Sequence, residues 1–151
     1  FFRKIARDQG QTLTGLAGEV LELVKGGPEE LAAERELLGK ALDNTQGHLG
    51  VMVGHMMGAQ QDPTGLYKLG LHANALLESI SEVTIAWLLL RHAEIALNAL
   101  ADADSRDVAF YEGKIASARF FVRHALPKTK IRRVAAEQED GSLMDLVDEA
   151  F

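Results

Sequence analysis

The chain has 151 residues, enough for one domain with a closed core, and its formal net charge of −6 argues against a general nucleic-acid binder. It holds no cysteine, which excludes disulfides and thiolate metal sites. With three prolines, few β-branched runs and no visible signal peptide, the expectation is an all-α, cytoplasmic protein.

Residues 1–10 read as a linker. The opening Phe1-Phe2-Arg3-Lys4 lacks an initiator Met, which suits a piece of a longer polypeptide. A first helix is expected from about Gln11 to Lys25, with Leu13, Leu16, Val20, Leu23 and Val24 as its apolar stripe. Gly26-Gly27-Pro28 ends it, and Pro28 suits the first position of the next helix. That second helix runs to about Gln60. Leu31, Leu38, Leu42, Thr45, Leu49, Met52, Met56 and Ala59 form its seam toward a bundle neighbour. Gly39, Gly47, Gly50, Gly54 and Gly58 fall near a second line of the same helix. Glycines in a helix interior are destabilising, so the line is expected either to pack tightly against another helix or to form a groove for a subunit or ligand.

Gln61-Asp62-Pro63-Thr64-Gly65 is a turn. A third helix from about Leu66 to Ala101 would be roughly 50 Å long. Its run Ile85 to Leu90 is apolar all round, so its middle should be buried on more than one side, but the run is far too short to span a bilayer. After a turn at 101–107, with Ser105 or Asp107 as N-cap, comes a fourth helix ended or kinked by Pro127. Its broad apolar face takes in Phe110, Tyr111, Ile115, Ala118, Phe121, Val122, Ala125 and Leu126. Its far side carries Gly113, Ala116, Ser117, Phe120 and His124, small residues around one large aromatic, and these are the interface candidates. Lys114 falls inside the apolar face. Either its stem snorkels, or it forms a buried ion pair with a carboxylate such as Glu78, Glu82 or Glu94.

Lys128, Lys130, Arg132 and Arg133 form a basic cluster, read either as a solvated helix end or as an anion patch for a CoA phosphate or an acidic lipid surface. Residues 135–151 are expected to be a polar linker and a short docking helix using Leu143, Leu146, Val147 and Phe151. The fold class is therefore all-α: a four-helix, mostly up-and-down bundle over residues 11–134, with a short extra C-terminal helix.

No catalytic, cofactor-binding or metal residue is singled out. A bundle di-iron site needs Glu three residues before His, and the positions before His48, His55, His72, His92 and His124 are Thr45, Met52, Leu69, Leu89 and Phe121. No nucleophile elbow, P-loop or dinucleotide fingerprint is present. All five histidines read as structural or surface.

Tyr111-Glu112-Gly113-Lys114-Ile115-Ala116-Ser117-Ala118-Arg119-Phe120-Phe121, followed by Leu126-Pro127, resembles the last long helix of the C-terminal accessory domain of bacterial acyl-CoA dehydrogenases. Arg3 to Gly10 resembles the linker into that domain, and Leu143-Met144-Asp145 through Phe151 resembles the family's chain end. The resemblance implies a non-catalytic domain of a parent enzyme that removes hydrogens across the α–β bond of an acyl-CoA. In that parent a carboxylate takes the α proton and FAD takes the hydride. The catalytic Glu and the flavin-binding residues lie upstream in the family, so none maps onto this chain and the fragment itself holds no cofactor. The implied partners are the upstream catalytic domains of the same chain and further copies in a homo-oligomer, with no nucleic acid and no membrane. Two alternatives stand beside it: a free-standing interaction, sensor or adaptor bundle, and a bundle with a lipid or acyl pocket near Met52, Met56, Met57 and Trp87.

Overall fold

The computed structural model describes residues 7, 8 and 10–150. Most of the expected linker over 1–10, and Phe151, lie outside the described residues. The described chain is all-α: α1 (Gln11–Lys25), α2 (Ala32–Gly58), α3 (Thr64–Leu100), α4 (Ser105–Ala125) and α5 (Lys128–Gln138), with single 3-10 turns at Glu29–Leu31, Ser142–Asp145 and Asp148–Ala150.

Local chemistry sets the starts. The Asp8 carboxylate accepts the backbone N–H groups of Gly10 at 2.9 Å and Thr12 at 3.3 Å, supplying partners that the first turn of α1 lacks. The Asp62 carboxylate likewise takes both the N–H and the hydroxyl of Thr64 as α3 opens. The expected cap of α4 moves by one residue. Asp104 is the extended N-cap, and Asp107 sits in the first turn, where its charge suits the helix dipole.

The helices run as antiparallel neighbours. Going down α2 and up α3, His55 and Ala59 lie against Gly65, and the His48 ring lies 6.4 Å from that of His72. Going down the last two helices, Arg132 meets Glu82 and Glu78, and Glu139, just past α5, meets His72. Thus α4 and α5 form one kinked rod laid antiparallel along α3. Leu126 and Pro127 stay in helical conformation through the kink, so Pro127 opens a new helix rather than ending helical structure. The short extra helix is therefore α5 at 128–138. Leu143, Leu146 and Val147 stay exposed on and beside a 3-10 turn instead of docking.

Two apolar clusters result. The larger joins α1 to α4 around Val20, Leu38, Val83, Leu90, Ala118 and Val122. The smaller, Met52, Leu69 and Leu76, lies toward the α2–α3 turn. Around them lie the buried polar residues Thr45, His48, His72, Ser79 and Thr129. The hydroxyls are satisfied locally: Thr45 donates to Ala41 O at 2.8 Å, Ser79 to Ala75 O at 3.0 Å and Thr129 to Leu126 O at 2.7 Å. By length and composition alone α3 would pass for a membrane span. Part of its apolar surface serves contacts with α1, α2, α4 and α5, and part stays exposed, Ile85 and Leu88 included.

The glycine line on α2 divides. A Cβ at Gly39 would press Val24 of α1, and one at Gly47 would strike the Arg133 guanidinium. Above Gly50, Gly54 and Gly58 nothing lies within 4 Å, so no helix packs there. Replacing Gly54 by alanine is therefore expected to stabilise the chain by about 0.5–1 kcal/mol in urea unfolding, since only the unfolded state loses freedom. A destabilised variant would mean that the open side is in use.

Candidate functional site

Among the described residues nothing covers the outer face of α4. Gly113, Ala116, Ser117, Phe120 and His124 are all exposed, and Phe120 remains 65% accessible. It is not loosely held. The His124 ring stacks on it with centroids 4.2 Å apart, and His124 Nδ1–H donates back to the Phe120 carbonyl at 2.7 Å. An i, i+4 stack of this kind restricts the rotamers of both rings. The structure thus brings Phe120 and His124 together and leaves Gly113, Ala116 and Ser117 as the smooth ground around them.

A second exposed apolar strip lies on α3. Leu66, Leu77, Leu88 and Ile95 are 42–64% exposed. At about 100° per residue they fall within roughly 40° of one line along the helix. The sequence carried the signal as spacings of eleven, eleven and seven, but the all-round apolarity of 85–90 drew attention to burial instead.

Lys114 is corrected. It is exposed, and its Nζ sits 5.2 Å from the Phe110 ring centroid rather than in a buried ion pair. The buried face of α4 is the narrow arc Ile115, Ala118, Val122 and Ala125. Phe110, placed on that face by pattern, is exposed as well, so Lys114 sits beside the core and not within it.

The carboxylates offered to Lys114 serve another cation. Arg132 donates from Nη1 to Glu82 Oε2 at 2.5 Å and from Nη2 to Glu82 Oε1 at 3.2 Å, and it reaches Glu78 at 2.9 Å. The Glu82 hydrogen bond raises the Arg132 pKa further. Arg133 donates to Glu137 at 2.7 Å and rests on Gly47. Lys128 and Lys130 are exposed. The four basic residues therefore do not form one anion patch, because both arginines are engaged with carboxylates.

A further ion pair was missed. Glu34 is 1% exposed and takes Arg123 Nε at 3.0 Å and Nη2 at 2.5 Å, with Arg119 Nε at 4.0 Å. Arg119 also donates to the Glu30 carbonyl at 2.7 Å. The signal was a carboxylate at the position between Leu31 and Leu38 on the buried seam.

The histidines separate by environment. His92 and His124 are exposed, whereas His48 and His72 are buried. Neither His48 ring nitrogen has a hydrogen-bond partner. Burial first, then the neighbouring His72 and Arg132, push its pKa down to about 4 from 6.5, against a smaller opposite pull from Glu137. Among the described residues no three His, Asp or Glu side chains gather as metal ligands. Of Met52, Met56, Met57 and Trp87, only Met56 borders the apolar cavity between α1, α2 and α3. Met52 is core, Met57 is on the surface, and Trp87 lies under Arg91.

Comparison with known proteins accords with this helical scaffold. Residues 16–147 match the family model described as acetyl-CoA dehydrogenase C-terminal like. The whole chain is 43% identical to a segment of the broad-specificity linear acyl-CoA dehydrogenase FadE5 of Mycobacterium tuberculosis, and it spans 25% of that protein's length. A butyryl-CoA dehydrogenase of Syntrophomonas wolfei is 36% identical over 83 residues, 54% of this chain and 14% of that protein. The chain belongs to the acetyl-CoA dehydrogenase C-terminal-like family.

Proposed function

We propose that this chain is the non-catalytic C-terminal helical domain of an FAD-dependent acyl-CoA dehydrogenase of fatty acid metabolism, and that it packs on the catalytic body or at a subunit interface. The parent removes hydrogens across the α–β bond of an acyl-CoA, with the base and the flavin supplied by the upstream domains. The observation that carries the reading is the pre-ordered Phe120–His124 stack on an exposed face of small residues. Large fixed aromatics on smooth surroundings are what interface centres are built from. The strip Leu66, Leu77, Leu88 and Ile95 offers a second contact area.

The test is hydrogen exchange on the isolated chain and on the full-length enzyme. Amides around 113–124 are expected to exchange faster in the first than in the second. Phe120→Glu should abolish the protection and weaken the assembly measured by light scattering, with an unchanged melting temperature in the isolated chain. Equal exchange in both proteins would refute docking through α4.

A further inference from the structure

A cavity of about 410 Å³, open to solvent on one side, is bordered by α1, α2 and α3. That lies within the range of small-molecule sites. Ala17, Leu42 and Val83, all core residues, form its floor, and Leu49, Val53 and Met56 form a wall along α2. Among the described residues no charged side chain lines it. Two of its three polar side chains are turned back on their own helices. The Thr14 hydroxyl donates to Gly10 O at 3.0 Å, and that of Thr45 donates to Ala41 O at 2.8 Å. Only the Gln46 amide remains, and Gln46 is exposed.

This lining is selective by what it withholds. A phosphate, sugar, adenine or flavin ring placed inside would lose water and find only the Gln46 amide as a polar side-chain partner. An inserted peptide backbone would meet the same obstacle at every N–H and C=O. A hydrocarbon loses nothing polar and fills walls that otherwise lack contacts. Shape narrows the choice again. From Leu42 to Met56 the α2 wall extends about 21 Å at 1.5 Å per residue, so the space is elongated along α2. That suits an unbranched chain better than a fused ring.

We infer that the α1–α2–α3 cavity is a binding site for one unbranched hydrocarbon chain of the fatty-acyl type, its polar head left in water beside Gln46. This site lies apart from the Phe120 face and does not depend on docking through α4.

The test uses the 151-residue chain and calorimetry with octanoate, decanoate, dodecanoate and tetradecanoate, each below its micelle concentration. One saturable site per chain is expected, with affinity rising about three- to fourfold per added methylene until the cavity is full. Dodecanol should bind as dodecanoate does, since the head is not recognised. Val53 is 36% exposed, so Val53→Lys should fold. A charge on the wall should weaken dodecanoate at least tenfold. Flotation with phosphatidylcholine vesicles separates the sources. Vesicle binding that Val53→Lys removes assigns the chain to a membrane lipid, and dodecanoate binding without flotation assigns it to a free acyl chain. Non-saturable uptake, affinity independent of chain length, or an unaffected Val53→Lys would overturn the site. So would protection of residues 42–56 in the full-length enzyme without added ligand, because a protein segment would then fill the space.

Discussion

Replacing Arg132 by alanine is expected to lower the unfolding free energy by about 2–3 kcal/mol. Exposed ion pairs contribute about 0–1 kcal/mol, and breaking a fully buried one costs about 3–5 kcal/mol. Arg132 and Glu82 lie between these limits, with side chains 16% and 17% exposed and two hydrogen bonds joining them. The loss comes mostly from Glu82, left half out of water with no cation. Glu78 is 63% exposed and can be rehydrated, so it adds little. The same change frees α5, because Arg132 ties that helix to α3. Hydrogen exchange should therefore open α5 before α1. Urea unfolding of Arg132→Met, Glu82→Met and the double variant separates the terms. The double variant should recover much of the loss, since no unpaired charge remains. A change under about 0.5 kcal/mol in Arg132→Ala would show that water reaches the pair freely.

The long helices were legible because their signals are local. Gly26-Gly27-Pro28 and Asp62-Pro63-Thr64-Gly65 mark turns by backbone chemistry, and the seam from Leu31 to Met56 marks a buried face by spacing. What stayed hidden depends on residues far apart in sequence. Glu34 with Arg123 and Glu82 with Arg132 are separated by 89 and 50 positions, and no spacing rule links them. Helix α5 was hidden for another reason. Its buried residues are Thr129 and Ala136, neither of which makes an apolar stripe, and its arginines read as a surface cluster. They are half-buried because α2 and α3 supply Gly47, Glu78 and Glu82 opposite them.

The outer face of α4 was legible as composition: small residues around Phe120. Its ordering by His124 was not, because a stack requires both rings to choose matching rotamers. Lys114 shows the opposite failure. Counting Phe110 as core widened the apparent apolar arc until it enclosed the lysine, whereas Phe110 is exposed and Phe121 only edges the core.

Acidification is expected to destabilise the chain through His48, and His48→Met should remove that part of the pH dependence. His48 is buried with both ring nitrogens unpartnered, facing His72 of α3 and Arg132 and Glu137 of α5. Its pKa is about 4 in the folded chain against 6.5 in the unfolded one. Between these values the unfolded state holds more protons, so stability rises with pH. The contribution is fully present above pH 6.5 and lost as the pH falls toward 4. The difference is worth about 3 kcal/mol once the pH has fallen through both values. Methionine removes no hydrogen bond here, because the ring makes none, and it fills an irregular site well. The variant should match the parent chain at pH 7.5 and exceed it by about 1–2 kcal/mol near pH 5 in urea unfolding. The comparison stops at about pH 5, above the range in which carboxylates in general take up protons. Parallel stability curves for the two chains would mean that His48 is charged or hydrated inside the fold.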